Sequence, residues 1–244
     1  MTWPLRIFFS VAWVALALAA QALAATVNGS VRLVDSRDLN VRRKSDYSGV
    51  VVWLEPTAAP LAKSRGRLVK IVQRQKRFVP HVVAVPVGST VDFPNADLIF
   101  HNAFSNFAGQ PFDVGLYPPG TSQKVRFVRD GVVRVFCNIH PTMSAVIVVV
   151  RTPFIAISNK EGAFSIEGVE PGEYRMRVFH ERSSEQTLHA LERRVAVDLT
   201  AIVPVAPISV SESGYIVSPH KNKYGKDYPP VIEDRAAYPA GSNP

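Results

Sequence analysis

Val132-Val-Arg-Val-Phe-Cys137-Asn-Ile-His140-Pro-Thr-Met143-Ser-Ala-Val-Ile-Val-Val-Val150 is the stretch whose reading decides the fold. Two β-rich runs flank a short loop. Val133, Val135 and Cys137 share one side of the first run, while Arg134 points away. The thiol therefore turns inward at the end of a strand. The run from Ala145 to Val150 is continuously apolar, as in a strand buried on both faces. The loop carries a thiol, an imidazole and a thioether, three soft or borderline metal ligands within seven residues. Cys137 is the single cysteine of the chain.

Outward from that loop, the chain reads as β structure throughout. Thr26 to Val34 alternates, with Val27, Val31 and Leu33 on one side. Gly49 to Leu54 is a short apolar run ended by Glu55-Pro56. Val82 to Val87 and Thr90 to Phe93 are two further strands around Gly88-Ser89. Pro94 to Asp97 is a loop, followed by Phe100-His101-Asn102-Ala103-Phe104. Val125 and Phe127 alternate with Lys124 and Arg126, and Arg129-Asp130-Gly131 turns into the central stretch. From Pro153 onward, fresh turns at Asn159 to Gly162 and Glu170-Pro171-Gly172 separate strands built on Phe164/Ile166 and Tyr174/Met176/Val178. Val195 to Leu199 and Ile202 to Val210 follow, and Glu185 to Arg193 suits a helical turn or two. Asp35 to Ser48 reads as a polar, basic loop. Val217 to Pro244 lacks periodicity and reads as an extended or disordered tail.

The chain of 244 residues is 47% hydrophobic and 20% charged, enough to bury a core, with net charge +8 and pI near 9.8. No zinc finger, aromatic RNP pair or basic helix accompanies the charge, so nucleic acid is not expected. An acidic protein partner or an anionic membrane surface suits it better. Lys63 to Arg77 holds basic residues and no acidic one. It reads as a solvated loop and edge strand or as a docking surface for an acidic partner. Residues 1–24 have the pattern of a signal peptide: Arg6, an apolar run from Ile7 to Ala20, and Ala22-Leu23-Ala24 before a cleavage point at Ala25. Export to the periplasm is therefore expected, with no stable membrane span after cleavage. A lone exported thiol cannot form an internal disulfide, and a metal ligand accounts for it.

Copper that cycles between two oxidation states suits a thiolate, two imidazoles and a weak thioether. Cys137, His140 and Met143 supply three of these. His101, 36 positions before Cys137 at the end of an earlier strand, is the candidate fourth. Read singly, the same residues suit a buried structural cysteine, a loop histidine and a core plug. Zinc is the competing metal but rarely takes methionine, and no acyl-transfer motif accompanies a Cys137/His140 nucleophile. His81, His180, His189 and His220 read as surface or satisfied histidines. Asn102 is either a hydrogen-bond partner near the thiolate or a plain turn residue.

Cys137-Asn-Ile-His140-Pro-Thr-Met143, preceded by Val-Phe, resembles the copper loop of cupredoxins, in the short spacing of amicyanin. Gly88 to Phe93 and Phe100-His101-Asn102 resemble the strand and first histidine ligand of that family. Residues 153–179 resemble a carboxypeptidase regulatory-like (transthyretin-like) domain. Exported proteins with this pairing are sometimes labelled methylamine-utilisation-like. The resemblance implies an all-β protein, a cupredoxin-like Greek-key β-sandwich followed by a second small β-sandwich. It implies one type 1 copper ion held by His101, Cys137, His140 and Met143. The expected units are 1–24 signal peptide, 25–152 copper domain with an N-terminal β extension, 153–212 regulatory-like sandwich and 213–244 tail, with Thr26 to Pro56 able to belong to either sandwich. The expected role is a periplasmic one-electron carrier, not an enzyme, serving an acidic redox partner. The alternative is a copper-handling or structural protein whose metal does not cycle. Pro118, Pro119, Pro141 and Phe107 are the expected rim around His140.

Overall fold

A computed structural model describes residues 24–58, 65–106, 109–216 and 219–229. Residues 1–23 of the expected signal peptide and Phe107 lie outside them, as does most of the final stretch. The strands in order are β1 (Ala25–Val34), β2 (Val51–Pro56), β3 (Leu68–Lys70), β4 (Val72–Gln73), β5 (Phe78–Val79), β6 (Val82–Pro86), β7 (Thr90–Pro94), β8 (His101–Ser105) and β9 (Phe112–Tyr117). They continue with β10 (Ser122–Arg126), β11 (Gly131–Phe136), β12 (Ser144–Val150), β13 (Ile155–Ile157), β14 (Ala163–Val169), β15 (Gly172–Phe179), β16 (Arg193–Val197), β17 (Ile202–Pro204) and β18 (Ile208–Ser211). Two short helices, α1 (Leu39–Lys44) and α2 (Glu185–Ala190), complete the described elements. No helix among the described residues is long and apolar enough to cross a membrane.

The chain is all-β, in two sandwiches. The first sets the sheet β6-β12-β11-β8-β9 against β10-β7-β3, with Greek-key crossovers between non-consecutive strands. Its core joins Ile71, Phe93, Tyr117, Phe127, Val133, Val135, Cys137, Met143 and Ile147. The second sets β14-β1-β17, with β18 also on β1, against β13-β2-β15-β16 around Val27, Val52, Leu54, Ile166 and Met176.

The pairing corrects the expected boundary at residue 152. β1 pairs with β14, β17 and β18, and β2 pairs with β13 and β15. The stretch 25–56 thus completes the second sandwich instead of extending the first. Alternation told which face of β1 is buried, but not which strand it pairs with. The polar loop after β1 also contains a helix. The Asp38 carboxylate caps α1 by accepting from the Asn40 N–H, and Arg42, Arg43 and Lys44 occupy its last turn, where the helix dipole favours cations.

β12 explains how the sandwiches join. Ala145, Ile147 and Val149 enter the first core. Val146, Val148 and Val150 enter a separate cluster with Val51, Trp53, Ile155 and Phe179 from β2, β13 and β15. The unbroken Ala-Val-Ile-Val-Val-Val run is therefore apolar on both sides, because each face meets a different sheet. Each such side chain, fully buried, stabilises by roughly 1.5–3 kcal/mol relative to an exposed one. A chain cut after Thr152 would leave this outer face and the pairing edges of β1 and β2 uncovered.

Polar contacts cross the same junction. His81, beside β6, places its Nδ1 on the Ser144 carbonyl at 2.9 Å and its Nε2 on the Glu181 carboxylate at 2.9 Å. Behind Glu181, the buried Glu212 accepts from His180 Nε2 at 2.8 Å, Arg182 Nη2 at 2.8 Å and Ser36 Oγ at 2.6 Å. Burial alone would raise the Glu212 pKa. The three hydrogen bonds and the Arg182 charge outweigh it and hold the carboxyl at about 2 against an ordinary 4.5. A carboxylate depressed in the folded state stabilises fully above its unfolded pKa and loses that contribution as pH falls through the folded one. The stability difference between the native chain and Glu212→Gln should therefore shrink by on the order of 3 kcal/mol between about pH 4.5 and pH 2. Urea unfolding midpoints of both proteins across that window are the measurement.

Candidate metal centre

β11 ends at Phe136, and Cys137 follows with its side chain fully buried in the first core. The loop then closes on itself. The Cys137 N–H donates to the Met143 carbonyl at 3.3 Å, and the Met143 N–H donates to the His140 carbonyl at 3.1 Å. Asn138 N–H reaches Asn102 Oδ1 at 3.3 Å. The Asn102 amide donates in turn to Asp113 Oδ1 at 2.7 Å and the Gly115 carbonyl at 2.9 Å. Asn102 thus ties β8 and β9 to the loop, the first of its two expected roles.

His101 opens β8 and is fully buried. Its Nδ1 lies 3.9 Å from Cys137 Sγ, and His140 Nδ1 lies 3.7 Å from the same sulfur. The two imidazoles meet edge to face, with ring centroids 4.9 Å apart. The candidate ligand atoms of His101, Cys137 and His140 all lie within 4.8 Å of one another. Met143 is fully buried in the core cluster that contains Cys137. Three of the four residues singled out in the sequence are thus gathered at one end of the first sandwich, and the fourth, Met143, closes the same loop with its side chain in the core. His140 stays half-buried, and its neighbour Ile139 is exposed.

His101 has a partner that the sequence did not reveal. Its Nε2 donates to Asp97 Oδ2 at 2.8 Å, which turns Nδ1 towards the sulfur. Asp97 is held by the N–H groups of Gln75 at 2.5 Å and Lys76 at 2.9 Å. Both residues are left-handed, at φ 52° and 54°, a conformation costing roughly 1–2 kcal/mol per residue outside glycine. Two N–H groups aimed at one carboxylate form an anion nest that offsets this strain. Burial alone would raise the Asp97 pKa, but the hydrogen bonds from Lys76, His101 and Gln75 bring it below the ordinary range.

The donor set fits a soft or borderline ion. Sulfur and nitrogen ligands bonded at roughly 2.3 and 2.0 Å with a trigonal angle stand about 3.7 Å apart, close to the two sulfur–nitrogen separations. A buried thioether among the candidate ligands favours copper over zinc. Those residues would hold the ion; the one-electron couple is what copper supplies when bound.

Among the other histidines, His81 and His180 engage carboxylates as described, and His189 lies 3.1 Å from Glu192. His220 is different. It falls in the expected tail, yet it stacks on Phe136 at 3.8 Å between ring centroids. Residues 219–229 carry no helix or strand, as the extended alternative for the tail has it, and they are packed against the Cys137–Met143 loop. The segment is poor in alternation because it adds to no sheet and makes its contacts singly, through the side chains of His220 and Tyr228 and the backbone N–H of Lys223.

No protein-family model and no curated protein matches the chain. Parts of it are similar to solved structures. A Cu-containing nitrite reductase from Thermus scotoductus SA-01 is 27% identical over 39% of this chain and 25% of that one, with a TM-score of 0.33. The chain thus spans a quarter of that protein's length. A purple cupredoxin from Nitrosopumilus maritimus is 25% identical over 33% of this chain and 98% of that one, with a TM-score of 0.31. Amicyanin from Paracoccus versutus is 20% identical over 39% of this chain and 96% of that one, with a TM-score of 0.32.

The metal-free thiol carries its own test. Burial would push the Cys137 pKa up, but hydrogen bonding to His101, His140 and the backbone N–H groups of Ile139 and His140 brings it from 9.0 down to about 5. Thiolate ultraviolet absorbance of the metal-free protein should therefore be half-developed near pH 5, and His101→Ala should move that midpoint upward. A midpoint in the ordinary thiol range would show that the imidazoles do not reach the sulfur.

Proposed function

We propose that this chain is an exported type 1 (blue) copper protein that passes single electrons between protein partners in the periplasm. One observation carries the reading: a fully buried cysteine sulfur with the Nδ1 atoms of His101 and His140 at 3.9 and 3.7 Å. A core that excludes water from a thiolate and fixes two imidazoles beside it is suited to hold one ligand geometry through a change of charge. His101, Cys137 and His140 would hold the ion on this reading, and the Met143 thioether, buried in the same core, would add a weak soft donor. Catalysis is not part of the proposal. The motif reading of residues 25–212 as a cupredoxin joined to a carboxypeptidase regulatory-like sandwich belongs to it.

The electron's route follows from exposure. Cys137, His101 and Met143 are closed to solvent, so the half-buried ring of His140 is the ligand edge nearest to a partner. Ile139 beside His140 in the loop, and Leu98, Ile99 and Phe100 just before His101 in the chain, are exposed apolar side chains. On this reading they join the rim expected at Pro118, Pro119 and Pro141, of which Pro118 is exposed and Pro119 and Pro141 are half-buried, as His140 is. Apolar contact there, with the basic 65–77 stretch steering an acidic redox protein, makes a short-lived electron-transfer encounter.

Addition of Cu(II) to the mature protein should produce an intense visible band from thiolate-to-copper charge transfer, and Cys137→Ser should stay colourless. A protein that retains zinc and forms no coloured copper complex would end this reading. Ile139→Asp should keep the colour but slow electron exchange with an acidic redox protein in stopped-flow mixing. The native rate should fall as salt shortens the Debye length to about 10 Å or less. A rate indifferent to both changes places the docking surface elsewhere.

A further inference from the structure

Residues 219–229 cross the metal loop and bond to it three times. The Tyr228 hydroxyl donates to the carbonyl oxygen of Cys137 at 2.7 Å. The Lys223 backbone N–H donates to Asn138 Oδ1 at 3.0 Å. His220 Nε2 donates to the Pro141 carbonyl at 2.8 Å, while its ring stacks on Phe136, the residue before Cys137. Tyr228 also meets the His220 ring edge to face at 5.1 Å.

Lys223 closes a ring of contacts. Its Nζ pairs with Asp113 Oδ2 at 2.8 Å. Asp113 Oδ1 accepts from Asn102, Asn102 Oδ1 accepts from Asn138, and Asn138 Oδ1 accepts from Lys223. Asn102 is the residue after His101, and Asn138 is the residue after Cys137. The ring therefore joins the neighbours of two candidate ligands, and its last member comes from the far end of the chain.

We propose that the 219–229 segment is a clamp that sets the metal loop before any ion arrives, with His220, Lys223 and Tyr228 as positioning residues for Cys137 and His140. The loop is short; its own bonds join its two ends, the His140 carbonyl and the Cys137 sulfur, and leave the carbonyls of Cys137 and Pro141 to partners outside it. The clamp holds the carbonyls of Cys137 and Pro141 and the side chain of Asn138, which span the turn between the ligands. Ligands already in place lower the entropy cost of capturing an ion and slow its escape. This rests on the metal-binding reading of the loop, but the clamp itself is measurable without metal.

The test uses the full chain with Tyr228→Phe and His220→Phe, singly and together. Both variants keep an aromatic ring and remove one donor, leaving a backbone carbonyl without its partner. Amide hydrogen exchange is followed on the metal-free protein at Cys137 and Met143, whose N–H groups close the loop. Each lost hydrogen bond should speed exchange at these two amides about three- to tenfold, with Ile147 of β12 and Met176 of β15 unchanged. Release of Cu(II) to a chelator should accelerate in the same order, and the charge-transfer band should shift or broaden. Unchanged exchange at Cys137 and Met143 would overturn the proposal, because the segment would then only rest on the loop. An acceleration spread equally over Ile147 and Met176 would also overturn it, by showing a general loss of stability. If the double variant does not fold, Tyr228→Phe alone decides. Failure of the chain to take up copper would count against the proposed function, while the exchange data would still judge the clamp.

Discussion

A sulfur that is both buried and anionic is the constraint on which the rest of this structure depends. Apolar surroundings favour the neutral thiol, so a thiolate persists there only if positive or hydrogen-bonding groups surround it. Cys137 has two imidazoles and two backbone N–H groups for that purpose. Each imposes a further demand. His101 must enter from β8 with the correct nitrogen forward, which requires Asp97. Asp97 must stay charged, which requires the left-handed pair Gln75–Lys76. A strained turn more than sixty residues upstream of Cys137 is thereby tied to the state of its sulfur.

β12 supplies the second constraint. Its two faces carry nearly the same apolar side chains, so sliding it by one residue would exchange Ala145, Ile147 and Val149 for Val146, Val148 and Val150 at little cost in hydrophobicity. A strand with one polar face is fixed in register by that contrast, and β12 lacks it. Polar bonds at its N-terminal end set the register instead. Met143 closes the metal loop onto Cys137, and His81 holds the Ser144 carbonyl. The geometry of the metal loop and the joining of the two sandwiches are settled at the same few residues.

The candidate site was largely legible in the sequence because its signal is chemical and local. Cys137, His140 and Met143 are spaced within one loop, and alternation along Val133, Val135 and Cys137 states which way the thiol points. The all-β character followed from alternation and turn residues such as Gly162, which sits at φ 83° where the chain passes within contact of Val31. The partners were not legible. β1 shows a buried face, but its pairing with β14 and β18 depends on contacts more than a hundred residues away. Asp97 read as a loop residue because its function depends on where Gln75 and Lys76 place their N–H groups. His220 and Tyr228 stood in a stretch without periodicity, and stacking on Phe136 leaves no pattern in a sequence.

The distribution of bonds around the loop also decides which of its edges is free to act. Cys137 is held through its N–H by Met143 and through its carbonyl by Tyr228. Asn138 is held by Asn102 and Lys223, and Pro141 by His220. The side chains of Ile139 and Thr142 are exposed, and the ring of His140 is partly so. An ion that changes charge needs ligands that do not move, and a partner that exchanges electrons needs a ligand it can approach. On the proposed function the loop would meet both needs by dividing them: its inner edge is tied to β8, to its own end and to the 219–229 segment, and its outer edge at Ile139 and His140 faces solvent. On the proposed function, the electron therefore has one short way in, through the imidazole that the clamp steadies from behind without covering.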